Sequence, residues 1–277
     1  MQVVRTIAEM RTLRQQLDGA IGFVPTMGYL HRGHLALVER ARSEDQFVIA
    51  SIYVNPLQFA AGEDLKAYPR DPDRDLELLR QENADIVFIP SDSEMYPPSF
   101  STWIDVEHIT ERLEGASRPG HFRGVATVVA KLFNIVRPCR AYFGQKDAQQ
   151  VLIIKRMVAD LNMGIEIAVV PTVRESDGLA MSSRDLYLSP EERRAAGVLF
   201  RALTLARELR ADGKRDADTI RNQMTALIDK EPLARVDYVS VADARTLDEL
   251  RTIDRPALAS LAVWIGKTRL IDNMSLE

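Results

Sequence analysis

Residues 21–34 read Ile21-Gly22-Phe23-Val24-Pro25-Thr26-Met27-Gly28-Tyr29-Leu30-His31-Arg32-Gly33-His34. Ile21 to Pro25 is a short apolar run, the pattern of a buried strand. Leu35 to Ala41 continues as a helix. The segment from Pro25 to His34 is thus a strand-to-helix turn. In a parallel α/β sheet, ligands bind beyond the carboxyl ends of the strands, so a site is expected here. The first N–H groups of the helix have no partner inside it and favour an anion. His31 and His34 are three apart, so in helical conformation they share one face. Two imidazoles beside a helix N-terminus can donate to phosphate oxygens. Gly28 and Gly33 remove side chains where a flat ring or a phosphate comes close. The bland alternative is a turn with two surface histidines, but two of the chain's four histidines sit here.

The same unit repeats outward. Phe47 to Val54 is rich in β-branched residues and reads as the next buried strand. Asp71-Pro72 opens a helix, Asp as cap and Pro in the first turn, running to about Asn83. Asp85 to Pro90 and Ala141 to Phe143 are further strands, and Ile165 to Val170 is the fifth. Val125 to Val136 and Asp147 to Leu161 are the helices between the later ones. Strands separated by such helices indicate βαβ units and a parallel sheet. After about residue 173 the pattern changes. Ser189-Pro190-Glu191-Glu192 is a capping box, and one long helix follows to near Gly213, with Val198, Ala202, Leu205 and Leu209 on one face. A helix at about Ala217 to Ile228 and strands at Arg235–Val241, Ser260–Val263 and Thr268–Ile271 complete a small α+β domain. The expected division is 1–173 and 174–277.

Composition narrows the function classes. The chain has 277 residues, 46% hydrophobic and 27% charged, which is the balance of a globular protein rather than a disordered one. Its formal net charge is −4, so a basic nucleic-acid-binding face is not expected. A site for an anionic ligand has to be a local pocket. The single cysteine, Cys139, allows neither an intramolecular disulfide nor a Cys-based zinc site. A cytoplasmic, reducing compartment fits that usage. Met1 to Leu17 has no signal-peptide core, and no apolar run approaches the ~18 residues of a membrane span.

Four further segments carry polar chemistry at strand ends or junctions. Asn55 and Gln58, around Pro56, offer amides that recognise hydroxyls and carboxylates. Arg118-Pro119-Gly120-His121-Phe122-Arg123-Gly124 is a glycine-punctuated cationic loop, equally readable as a basic surface turn. In Gly144-Gln145-Lys146-Asp147-Ala148-Gln149-Gln150, Lys146 can act as a phosphate point charge, and Asp147 can cap a helix or hold a ribose. Met181-Ser182-Ser183-Arg184 joins hydroxyls and a guanidinium, a phosphate-gripping set at the domain junction. No carboxylate cage is evident, so any Mg²⁺ is expected to arrive with nucleotide phosphates.

Taken together, PTMGYLHRGH, YVNPLQF, PGHFRGV, FGQKDAQQ, DGLAMSSR and GKTRLIDN resemble the pantoate–β-alanine ligase family nearly end to end. The HxGH element by itself points only to the wider nucleotidyltransferase superfamily. The resemblance implies a Rossmann-like domain with a smaller C-terminal lid, a homodimer, and small-molecule substrates with no nucleic-acid or membrane partner. It implies an ATP- and Mg²⁺-dependent ligase joining (R)-pantoate and β-alanine through a pantoyl adenylate. By motif position, ATP falls to Met27, Gly28, Tyr29, Leu30, His31, Arg32, Gly33, His34, Gly144, Gln145, Lys146, Asp147, Val173, Met181, Ser182, Ser183 and Arg184. Gln58 and Gln150 are placed on pantoate, with Asn55 beside them and Gln58 also near β-alanine. His34 matches the usual proton donor, and His31, Lys146, Ser182, Ser183 and Arg184 neutralise phosphate charge. The chain departs from the family's usual Glu at Gln145 and usual Asn at Asp185. Two rivals are an enzyme that only transfers AMP to a phosphate and a silent nucleotide sensor. Paired Gln58 and Gln150 favour a second, carboxylate-bearing substrate over both.

Overall fold

The computed structural model describes residues 1–60 and 63–276, in two compact units: Met1–Gly144 with Gln149–Pro171, and Gln145–Ala148 with Thr172–Glu277. In the first unit the order is β1 (Gln2–Val4), α1 (Ile7–Gln16), β2 (Ile21–Thr26), α2 (Arg32–Glu44), β3 (Phe47–Ile52), α3 (Pro72–Gln81) and β4 (Ile86–Phe88). The short helices α4 (Asp92–Met95) and α5 (Glu114–Ser117) lead to α6 (His121–Val136), β5 (Arg140–Gly144), α7 (Ala148–Asp160) and β6 (Glu166–Val170). All six strands pair in parallel, in the order β1-β4-β3-β2-β5-β6.

The alternation of side chains sorts each strand onto two helical layers. Ile21, Phe23, Ile49, Ile86 and Phe88 pack on one face with α6 residues such as Val129 and Phe133. Val24, Val48, Ala50 and Val87 pack on the other with Leu37, Val38 and Leu79 of α2 and α3. This is a Rossmann-like three-layer arrangement. The chain leaves β2 toward β3 on one side and returns to β5 on the other, so the strand order reverses between β2 and β5. Ligands are favoured at the carboxyl ends of strands at such a reversal.

The second unit contains α8 (Pro190–Ala196), α9 (Val198–Ala211), α10 (Ala217–Ile228) and an antiparallel sheet of β7 (Ala234–Asp243), β8 (Ala257–Ile265) and β9 (Thr268–Leu276). Leu199, Leu203, Ile220 and Met224 cover Leu261 and Val263 of the central strand.

Three expectations need correction. The sheet has a sixth strand, β1, and a helix α1 before the first expected strand. A three-residue strand is too short to show a period, and Thr6 caps α1 through a capping box whose signal is the Thr6–Glu9 spacing. The long helix after Ser189 is two helices. Gly197 sits at φ −57°, ψ −14°, a 3₁₀-like geometry that interrupts the α ladder. The buried face of α9 is accordingly Val198, Leu199, Ala202, Leu203 and Ala206, and Leu205 lies outside that cluster. Among the described residues no helix is long and apolar enough to cross a membrane.

Candidate active site

The turn after β2 is held by a residue that sequence reasoning passed over. Gly28 and Tyr29 have φ of +83° and +50°, a left-handed pair that presents consecutive N–H groups in one direction. The Tyr29 and Leu30 N–H groups each donate to the Asp75 carboxylate at 2.7 Å. Asp75 lies on α3 and is 1% exposed. Burial raises its pKa against the lowering effect of those two donors. A Cβ on Gly28 would stand 2.9 Å from Ile52 Cγ2 and 3.0 Å from Asp75 Oδ2, so only glycine fits the corner. Leu30 is fully buried, and its carbonyl accepts from Arg74 Nη1 at 3.0 Å. Arg32 is exposed and pairs with Glu39 at 3.2 Å.

His31 is the N-cap of α2. Its Nδ1 accepts from the Gly33 N–H at 3.1 Å, and His34 Nδ1 accepts from the His31 N–H at 3.3 Å. The two imidazoles form a reciprocal capping box with ring centroids 4.1 Å apart. A nitrogen that accepts carries no proton, so in each neutral ring the proton is on Nε2. The helix terminus therefore differs from the simple expectation of bare N–H groups. The Gly33 N–H is used by His31. Gly33 is required for that geometry, because a Cβ there would meet His31 Cε1 at 2.8 Å.

After β3, Asn55 caps a 3₁₀ turn, Pro56–Gln58. Asn55 is 1% exposed and fully engaged: Nδ2 donates to Gln58 Oε1 and to the Gly124 carbonyl, both at 3.1 Å. Its Oδ1 accepts from Tyr96 Oη at 2.9 Å and from the Leu57 N–H at 3.3 Å. Gln58 is held by its Oε1, and its Nε2 donates to Met27 Sδ at 2.9 Å, which brings it beside the histidine turn. Gln149 is likewise saturated, with Nε2 on the Ile109 and Arg112 carbonyls and Oε1 accepting from the Glu114 N–H. Gln150, half-buried, is its neighbour in the first turn of α7.

In the second unit, Gln145, Lys146 and Asp147 form a 3₁₀ turn organised by Asn273 of β9. Asn273 Nδ2 donates to the Gln145 and Lys146 carbonyls at 3.0 and 2.8 Å, and its Oδ1 accepts from Gln145 Nε2 at 3.0 Å. Asp272 beside it forms a two-point pair with Arg174 at 2.6 and 3.0 Å. Lys146 Nζ is 3.4 Å from Asp147 Oδ1. The Val173 carbonyl accepts from the Met181 N–H at 3.0 Å. Ser182 caps the 3₁₀ turn Ser183–Tyr187, its N–H donating to Asp185 Oδ2 at 2.8 Å. Ser183 is buried and Arg184 half-buried. Asp185 Oδ1 is buried without a hydrogen-bond partner, and burial pushes the carboxyl up to about 6. Sequence reasoning gives Asp75 no role and quotes Asn273 only within GKTRLIDN, because their partners are 45 and 127 residues or more away in sequence. Each lies inside an amphipathic element where a polar residue reads as solvent-facing.

A family model described as pantoate-beta-alanine ligase matches residues 2–275. The pantothenate synthetase of Roseiflexus sp. (strain RS-1) is 64% identical over 277 residues, all of both chains. The crystal structure of pantothenate synthetase from Thermus thermophilus is 50% identical, with a TM-score of 0.95 over 99% of each chain. The pantoate-beta-alanine ligase of Francisella tularensis, solved in complex with beta-gamma ATP and β-alanine, is 35% identical with a TM-score of 0.82, covering 99% of this chain and 97% of its own.

Proposed function

Since the chain belongs to the pantoate–beta-alanine ligase family, we propose that it condenses (R)-pantoate with β-alanine to form pantothenate at the expense of ATP, in two steps. A carboxylate oxygen of pantoate attacks the α-phosphorus of ATP. The bond to pyrophosphate breaks, leaving pantoyl adenylate. The β-alanine amine then attacks the adenylate carbonyl, the C–O bond to AMP breaks, and the amine loses its proton. A carboxylate is a poor acylating agent, and AMP is a good leaving group. Catalysis by this chain is mainly positioning and charge stabilisation.

The observation that carries this reading is the two-histidine capping box at the carboxyl end of β2, with Gln58 tied to the adjoining Met27. His31 and His34 bring imidazole Nε2 groups suited to phosphate oxygens, and His34 donates to the departing pyrophosphate. Lys146, Ser182, Ser183 and Arg184 add charge and hydroxyl donors for the phosphates. Met27, Tyr29, Gly144, Gln145, Asp147, Val173 and Met181 shape the ATP site. Gln58 and Gln150 hold pantoate, and Asn55 aims Gln58. Mg²⁺ enters with the triphosphate as part of the substrate. The chain acts as a homodimer in the cytoplasm, where its one exposed thiol, Cys139, stays reduced.

Pyrophosphate release tests the reading directly. ATP with pantoate releases about one equivalent of pyrophosphate per site, and sustained turnover requires β-alanine. Pyrophosphate release independent of pantoate would overturn it. Gln58→Ala raises the KM for pantoate, because a site built on a substrate hydrogen bond is left with an unpaired group. ATP binding measured calorimetrically without pantoate stays near that of the parent protein.

A further inference from the structure

We propose that His121, held by Arg118 and Glu63, is a positioning residue that fixes Gln58 by gripping its main chain. The proposal rests on the reading that Gln58 contacts pantoate. His121 Nδ1 lies 2.7 Å from the Gln58 carbonyl oxygen, and its Nε2 lies 3.1 Å from Arg118 Nη1. A carbonyl only accepts and a guanidinium only donates. The ring therefore has one role at each nitrogen: Nδ1–H donates to Gln58, and Nε2 accepts from Arg118. Glu63 holds the guanidinium with two bonds of 2.7 Å, and Arg118 Nη2 itself reaches the Gln58 carbonyl at 3.4 Å. Burial and the Arg118 charge keep the ring neutral.

The grip complements the contacts at the other end of the residue. Asn55 fixes the Gln58 side-chain oxygen, while His121 fixes its main chain. α6 seats directly on this turn, since a Cβ on Gly124 would lie 2.2 Å from the Leu57 carbonyl oxygen. Gln58 thus enters its site with both ends anchored, and the Nε2 group is left in a defined position. The cationic loop 118–124 is a brace for the turn.

Kinetics on purified variants separate this role from a general structural one. His121→Ala lowers kcat/KM for pantoate by about tenfold to 100-fold, the range expected for a displaced positioning group. ATP affinity measured by calorimetry is unchanged. His121→Asn, whose amide nitrogen can take the place of Nδ1, recovers most of the loss. His121→Gln, whose amide matches Nε2, does not. In the Gln58→Ala background, His121→Ala has little further effect on pantoate. Thermal unfolding verifies that each variant is folded, and the Asn–Gln comparison carries the test if the Ala variant is not. Equal weakening of ATP and pantoate, or a full additive loss in the double variant, overturns the proposal. Unchanged pantoate kinetics in Gln58→Ala alone overturns the substrate reading and the proposal with it.

Discussion

A histidine whose Nδ1 accepts from a main-chain N–H has one neutral tautomer left, and this chain builds that restriction twice, at His31 and His34. A positioned donor that stabilises developing charge is typically worth about 10²–10³ in rate. His34→Ala and Lys146→Ala should each slow pyrophosphate release by that order in single-turnover assays while the far-ultraviolet spectrum is retained. A near-parental burst from either would remove that residue from the phosphates. Gln145 invites a different expectation. Glu at this position loses the donor to Asn273 Oδ1, yet Asn273 keeps its bonds to the Gln145 and Lys146 carbonyls. Gln145→Glu should therefore change kcat/KM by less than about tenfold, or 1.4 kcal/mol of barrier. Asp185 has a raised pKa, so between about 3.8 and 6 the folded state holds more protons than the unfolded one. Its contribution favours folding at low pH and is lost as pH rises through about 6. Asp185→Asn should flatten the stability profile across that window in urea titrations at fixed pH. An unchanged slope would show that the carboxyl is not held there.

At the level of elements, what matters is how closely helices approach the turns that bear the site. α3 reaches the β2–α2 turn through Asp75, and α6 reaches the Asn55–Gln58 turn through Gly124, whose main chain stands against the Leu57 carbonyl and the Gln58 nitrogen. The second contact involves main chain on both sides, which cannot rotate away as a side chain can. Gly124→Ala should therefore destabilise the protein by at least the usual overpacking cost of about 1–3 kcal/mol, read from the urea midpoint. It should also raise the KM for pantoate. Stability equal to that of the parent would mean that α6 can shift without cost. The helical breaks follow the same local physics: Gly197 ends α8 because its backbone tightens there, although the apolar pattern runs on through it.

For the whole molecule, each of the two units has its own core. A ligand that binds only the folded state stabilises it by about 2.7 kcal/mol at 100 times its dissociation constant. MgATP should raise the melting temperature of the parent chain. His34→Ala in the first unit and Lys146→Ala in the second should each reduce that rise in differential scanning fluorimetry. The sequence by itself determined what depends on near neighbours: the apolar runs of β2 to β6, the Asp71 and Ser189 caps, and the place of the two histidines at a strand end. Those signals lie within a few residues, where backbone sterics and side-chain periodicity act without the rest of the chain. Only the tertiary structure decided which polar groups meet. Asp75 finds the Tyr29 and Leu30 N–H groups, His121 finds the Gln58 carbonyl, and Asn273 finds the turn at Gln145. None of these pairs has a local signature, because a hydrogen bond needs partners within about 3 Å, and strand order alone brings such distant residues together.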